Sequence, residues 1–396
     1  MISPNERILT RISDAELQRR WSAVRKAMKA QRIDALVMQN TSDWIGGAVR
    51  WFTDLPATNG YPRTVIFYAD EPMTVIEMGP MGKRTSFDND PLNRGVGEQL
   101  CTPSFVSIVY TQSYDADLAV EALKRRDPGT VGFLGKGGLP HALVAALEQG
   151  LSGTTFVDAT DMVDRIKAIK SPEELDLIRR CATMQDDIFK AVLDVIKPGL
   201  RDIDITAAAQ AEALRLGSEQ GIFLGGSSPV GVRSSFVPRF MQGRTLSKGD
   251  HLSLLIEVNG PGGMYTEIAR TIVLGRASNE LKDGFESVRQ AQDYTLSLMK
   301  PGAIPAEIHA AHDAYMKQRG LPPELWLYAH GQGYDMVERP LIRSDETMPI
   351  AANMNFAVHP GYETPSIFAV ICDNYIIGED GPGECLHGTA KQVFEL

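Results

Sequence analysis

The sequence predicts two successive domains, an α/β domain followed by an α+β domain. Three observations lead to this. The chain has 396 residues, enough for two hydrophobic cores. Up to about residue 165, stretches of helical period alternate with short apolar runs of strand type. Beyond that point a unit of helix, stop, helix and glycine-punctuated strands occurs twice. The stops are Lys197-Pro198-Gly199 and Lys300-Pro301-Gly302.

In chain order, Ser13-Asp14-Ala15-Glu16 reads as a capping box opening a helix. Leu17, Trp21, Val24 and Met28 recur on one face of that helix. Asp34 to Met38, Thr64 to Tyr68, Met73 to Met78 and Val106 to Tyr110 read as strands. The turn Ala69-Asp70-Glu71-Pro72 separates the second from the third. A helix over Asp115 to Arg126, a strand over Val131 to Leu134, a helix over Leu139 to Leu147 and a strand over Thr155 to Val157 complete the first domain, residues 1–165. The basic junction Arg165 to Lys170 precedes Ser171-Pro172-Glu173-Glu174, which has a cap, a proline at the first helical position and an acidic reach-back. That signal opens a long helix to about Ile196 and the second domain, residues 166–396.

Composition narrows the function. With 43% hydrophobic and 23% charged residues, the chain is an ordinary globular protein. A net charge of −10 without a basic stripe argues against nucleic acid and against an anionic membrane surface. Met1 to Thr10 lacks the apolar core of a signal peptide, and no apolar run reaches a membrane span. Cys101, Cys181, Cys372 and Cys385 form no CxxC pair, so a cytoplasmic protein with reduced thiols is expected.

Polar residues inside apolar strand-like runs mark the candidate site, because a buried polar group needs a partner. His330 lies in Ala329-His330-Gly331-Gln332-Gly333, and His359 directly precedes Pro360-Gly361. Histidine at such places serves as a base or a ligand. Glu267 interrupts a buried run, with Arg270 as its ordinary structural partner. Glu257 shares a face with Glu267 only if the intervening turn permits it. Cys372 is either a packed small residue or a thiol that needs an imidazole to lower its pKa. His141, His251, His309, His312 and His387 read as helix or surface positions. Arg339, and Tyr61 with Arg63 in the loop Asn59 to Arg63, are candidates for gripping a substrate carboxylate.

Several landmarks together carry a resemblance: Ile169-Lys170-Ser171-Pro172-Glu173-Glu174-Leu175, the two Lys-Pro-Gly helix ends, Lys248-Gly249-Asp250, Arg270-Thr271, His330-Gly331-Gln332-Gly333 and Pro360-Gly361. Over its whole length the chain resembles the creatinase/aminopeptidase P/prolidase superfamily. The resemblance implies an α/β N-terminal domain plus an α+β pita-bread catalytic domain. In that family's metallopeptidases two aspartates, a histidine and two glutamates hold two divalent ions. By motif alignment, Ile256 falls at the first aspartate position with Glu257 beside it, Glu267 at the second, and His330 at the histidine. His359 and Cys372 stand at the two glutamate positions, and Val337 replaces the family's second histidine. A bridged pair of ions needs shared carboxylates, so it is expected to be lost. Creatinase works without metal, but its loop histidine has no counterpart in Val237 to Gln242, and its glutamate before Arg-Thr falls on Ala269.

The resemblance therefore implies a creatinase-like hydrolase of a C–N bond in a small polar or zwitterionic substrate. Glu257, Glu267, His330 and His359 would be catalytic, with Tyr61, Arg63, Arg339 and Cys372 binding substrate, and no cofactor or metal is expected. One alternative is a peptidase of Xaa-Pro type or a lyase holding one ion with Glu267, His330, His359 and Cys372, a donor set for zinc, or for iron without the sulfur. Another is a non-catalytic peptide-binding protein. A homodimer is expected, with the Asn59 to Arg63 loop closing the other chain's cleft as in creatinase.

Overall fold

The computed structural model describes residues 10–40, 47–57, 60–104 and 112–396. It divides into two compact units, one formed by Arg11–Lys167 and the other containing Ala168–Leu396. The strand expected over Val106 to Tyr110 lies outside the described residues.

In the first unit, helix α1 (Asp14–Gln31) starts where the Ser13 hydroxyl accepts the Glu16 amide. The Glu16 carboxylate does not complete a capping box. It binds Arg19 and Arg20 instead, 2.7 and 2.8 Å away. Leu17, Trp21, Val24 and Met28 are buried, as their spacing requires. The sheet has seven strands: β1 (Ala35–Asn40), β2 (Arg63–Tyr68), β3 (Met73–Met78), β4 (Arg84–Ser86), β5 (Val96–Thr102), β6 (Thr130–Phe133) and β7 (Thr155–Asp158). Their order is β4-β5-β3-β2-β1-β6-β7. Helices α2 (Gly47–Thr53), α3 (Tyr114–Lys124), α4 (His141–Gly150) and α5 (Thr160–Ala168) accompany it. The sheet is mixed: β1 pairs antiparallel with β2 but parallel with β6.

In the second unit each expected half forms a pair of helices and an antiparallel sheet. Helix α6 (Pro172–Val195) begins with a complete capping box between Ser171 and Glu174, and α7 (Asp202–Leu216) follows. They cover β8 (Gly221–Ser228), β9 (His251–Asn259) and β10 (Tyr265–Val273), with Cys181, Ile188, Phe189 and Ala209 packed among Leu254, Ile256, Ile268 and Ile272. Helices α8 (Asn279–Leu298) and α9 (Pro305–Gln318) belong to the other half. Its strands are β11 (Ala329–Gly331), β12 (Glu338–Leu341) and β13 (Asn355–Val358), then the hairpin β14 (Gly361–Glu363) and β15 (Phe368–Val370), then β16 (Asp373–Ile377) and β17 (Pro382–Cys385). A short β18 (Phe394–Glu395) returns to pair with β10.

The two sheets meet where β10 passes the start of β16. Ala269 and Cys372 exchange backbone hydrogen bonds there. Arg270 binds Asp373 at 2.6 Å with both side chains fully buried, and donates to the carbonyls of Ala269, Cys372, Thr389 and Ala390. A buried guanidinium is tolerable only with its donors satisfied. This seam brings strands from both halves to one place. Among the described residues no helix is long and apolar enough to cross a membrane.

Candidate active site

Strands β9 and β10 form a hairpin whose turn uses Gly262 and Gly263 at positive φ. The turn sets a register in which Glu267 lies directly opposite Glu257, and Ile268 opposite Ile256. Side chains alternate across a strand, so the two glutamates share one face and the two isoleucines the other. Ile256, which stands at the first aspartate position by motif spacing, is in the core under α6 and α7, and Glu257 is the carboxylate that faces Glu267. The hairpin register decides which of the two reaches the site.

His330 on β11 and His359 just after β13 come to the same face. His330 Nε2 is 3.6 Å from Glu267 Oε2. The two imidazole rings stand edge to face with centroids 5.1 Å apart. One ligand atom from each of Glu267, His330 and His359 lies within 4.8 Å of the others. The His359 amide donates to the Tyr328 carbonyl, which fixes its backbone, while its Nε2 is buried and has no hydrogen-bond partner. His330 Nδ1 lies 3.0 Å from the Gly331 carbonyl. A carbonyl only accepts, so Nδ1 carries a proton, and Nε2 needs a proton or a cation to sit beside a carboxylate.

The electrostatics separate the two glutamates. Burial, then the charge of Glu267, pushes Glu257 well above the ordinary carboxylate range, against the hydrogen bond from Gln332. Burial also works to raise Glu267, but His359 and His330 outweigh it and hold the carboxyl below its usual value. Burial lowers the pKa of His359 and keeps its imidazole neutral, against the pull of Glu267.

A network of buried amides surrounds this group. Gln332 Nε2 donates to Glu257 Oε1 at 2.6 Å, and its own Oε1 accepts from Asn374 Nδ2 at 2.8 Å. Asn374 also bonds Asn355, and accepts the Glu267 amide at 2.7 Å. His387, read from sequence as a surface residue, is buried here. The Asn374 amide donates to its Nδ1, so Nε2 carries the proton toward Gln185 Oε1 at 2.8 Å. Gln185 in turn donates to the carbonyls of Ile256 and Thr266, bracing the hairpin. Sequence reasoning missed Gln185, Asn355 and Asn374. Their signal is only an amide within an apolar helix or strand. His251 is likewise a buried strand residue.

Beside the cluster lies a cavity of about 410 Å³ onto which Glu267 and His359 open. Its walls are mainly apolar, including Phe236, Leu255, Trp326, Phe368 and Val370. That lining does not suit the small polar or zwitterionic substrate expected from sequence.

Three of the expected substrate contacts are engaged elsewhere. Cys372 is fully buried and donates its thiol to the Glu267 carbonyl at 3.4 Å. Burial, then the charge of Glu267, raises its pKa well above that of a free thiol, and its Sγ is not among the ligand atoms gathered from Glu267, His330 and His359. Arg339 forms a two-point pair with Glu346, at 3.0 and 2.6 Å. In the first unit Arg63 binds Glu77 at 2.6 Å and the Pro56 carbonyl at 2.8 Å. Tyr61 is half-buried in the same unit, ahead of β2, and Asn59 lies outside the described residues. The loop Pro322 to Leu327 lines the cavity and brings in Glu324, which sequence reasoning also missed because it reads as an ordinary surface loop.

A bridged pair of ions lacks its donors: among the described residues only Glu267, His330 and His359 bring ligand atoms together, Glu257 is held by Gln332, and Cys372 gives its thiol proton to a carbonyl. One ion does fit. Glu267, His330 and His359 form a set of one carboxylate and two imidazoles, with an unpartnered Nε2 and an open side toward the cavity.

Comparison with known proteins agrees with this architecture. The model of metallopeptidase family M24 matches residues 176–379. The uncharacterized peptidase YqhT of Bacillus subtilis is 24% identical over 258 residues, 65% of this chain and 72% of that protein. The Xaa-Pro dipeptidase of Pyrococcus furiosus is 24% identical over 269 residues, 67% of this chain and 75% of that protein. The crystal structure of X-Pro aminopeptidase from Thermotoga maritima superposes with a TM-score of 0.76 at 16% identity, covering 95% of this chain and 99% of that one. The fold is an N-terminal α/β domain followed by a pita-bread domain, and the chain belongs to metallopeptidase family M24.

Proposed function

We propose that this protein hydrolyses a C–N bond of a peptide-type amide, with Glu267, His330 and His359 as its catalytic group. The observation that carries this reading is the convergence of those three side chains at a cavity, with the His359 Nε2 unpartnered. A neutral imidazole in that state is a base for a water molecule. His359 takes a proton from water as the water oxygen attacks the amide carbon. It then returns the proton to the departing nitrogen. Glu267 stabilises the imidazolium formed in between, and Glu257 stays protonated, so that only one negative charge sits beside the histidines. Relatives with Xaa-Pro names make peptides with proline at the second position the first substrates to try. Full turnover by both His330→Ala and His359→Ala would overturn the assignment.

A second reading rests on the His330 Nε2 facing Glu267 at 3.6 Å, where one cation would reconcile two acceptors. Glu267, His330 and His359 would hold it, and when bound it would supply Lewis-acid activation of the carbonyl. The amide grip on Glu257 would then keep that residue out of the donor set. Metal analysis of protein purified without chelator, alongside activity before and after chelation, separates the readings.

We also propose a homodimer in a reducing, cytoplasmic compartment, for which the four free thiols are suited. Arg63 does not supply the argument for a shared site, because its guanidinium is engaged by its own unit. Sedimentation at micromolar concentration tests the dimer, and a monomer rules it out.

A further inference from the structure

The cavity contains a carboxylate that the catalytic reading does not use. Glu324 lies in the loop Leu321-Pro322-Pro323-Glu324-Leu325-Trp326-Leu327, where two consecutive prolines restrict the backbone just before it. Its Oε2 accepts the Gly361 amide at 2.7 Å, and the Trp326 amide also supports it. Gly361 is two residues beyond His359, so this bond ties the carboxylate to the strand that follows the candidate base. Among the described residues, no lysine, arginine or histidine forms an ion pair with Glu324.

The rest of the lining narrows what can bind. Among the described residues Glu267, Glu324 and Glu363 are its carboxylates and no lysine or arginine is in the lining, while Glu363 is paired with Arg233 at 3.4 Å, which leaves Glu324 without a cation. Phe236, Leu255, Phe368 and Val370 offer an apolar wall, and Trp326 stands at the mouth, 79% exposed. The His359 Nε2 without a partner marks the reacting end. A ligand suited to this space has an apolar body and a positively charged head. A carboxylate would enter without a counter-ion and would face like charges.

We propose that Glu324 is the substrate-selecting residue of this cavity, binding the free ammonium group of a substrate whose adjacent side chain is apolar. This rests on the C–N hydrolase reading and names its substrate class: amides of hydrophobic residues with a free amino group, not substrates gripped by a carboxylate. Burial pushes Glu324 up to about 7, with the charge of Asp313 adding to it. An ammonium ion at hydrogen-bond distance would return it to the ionised form.

Calorimetric titration of the full chain at pH 7.5 with three probes of one shape tests the proposal. The probes are phenethylamine, 2-phenylethanol and 3-phenylpropionate. The amine should bind about tenfold more tightly than the alcohol, and the carboxylate more weakly than both. Glu324→Gln, which keeps an acceptor for the Gly361 amide, should bring the amine to within about threefold of the alcohol. Equal binding of amine and alcohol by the unaltered protein overturns the proposal. So does tightest binding of the carboxylate, no detectable binding of the amine, or an amine preference that survives Glu324→Gln. Binding is read without turnover. The predicted ranking in a protein that hydrolyses no amide would reject the hydrolase reading and leave the amine site standing.

Discussion

Glu257 and Glu267 face each other across a strand pair, yet burial raises the pKa of one and the histidines lower that of the other. The difference lies in what each touches. An amide serves Glu257, and two imidazoles serve Glu267. Glu257→Gln keeps the shape and the oxygen that accepts from Gln332, and because burial raises the carboxyl pKa it should change stability by less than about 1 kcal/mol in chemical denaturation. Glu267→Gln removes the carboxylate charge that faces both histidines, and should lower kcat/KM by about 100-fold or more. His359→Ala should do the same, measured on a peptide substrate of the parent protein. Glu324 gives a pH signature. Its carboxyl ionises near 4.5 when free and near 7 in the fold, so between those values the folded state holds more protons than the unfolded chain. Its contribution therefore falls as pH rises through that window. The melting temperature of Glu324→Gln minus that of the parent should be more positive at pH 8 than at pH 5. A constant difference would contradict the buried state of Glu324. From sequence, His330, His359 and Glu267 stand out because each interrupts an apolar run. Glu324 does not, because a glutamate in a proline-rich loop looks like a solvated one.

At the scale of elements, the seam between β10 and β16 holds the site in place. Arg270 and Asp373 are both fully buried, so Asp373→Ala leaves an unpaired guanidinium and should cost about 3–5 kcal/mol in urea unfolding. A loss below about 1 kcal/mol would show that the seam is not what joins the halves. Helix starts were readable, since Ser171-Pro172-Glu173-Glu174 closes the cap that its residue types imply. Strand existence was readable as well, from runs such as Thr64 to Tyr68. Register was not, because a one-residue change in the turn Gly260 to Met264 moves Glu257 between the core and the site, and turn length does not appear in strand composition. β4 is too short and too polar to give a periodic signal, and β5 carries polar residues at Glu98 and Gln99.

At the scale of the molecule, each Lys-Pro-Gly stop separates the two helices of one half, α6 from α7 and α8 from α9, and the second unit has the two helix-pair and sheet halves that the repeat implies. The division into compact units falls between Lys167 and Ala168. What composition could not reveal is the character of the cavity, since its apolar wall is assembled from β9, β15 and two loops far apart in sequence. Glu267, His330 and His359 form one donor set of a carboxylate and two imidazoles, with room for a single metal ion. Titration of the chelator-treated protein with Zn²⁺ and Mn²⁺, followed by calorimetry and elemental analysis, is the decisive measurement. The structure predicts no more than one tightly held ion per chain, lost on Glu267→Ala or His359→Ala. Two tightly held ions per chain, or one that survives both substitutions, would contradict it.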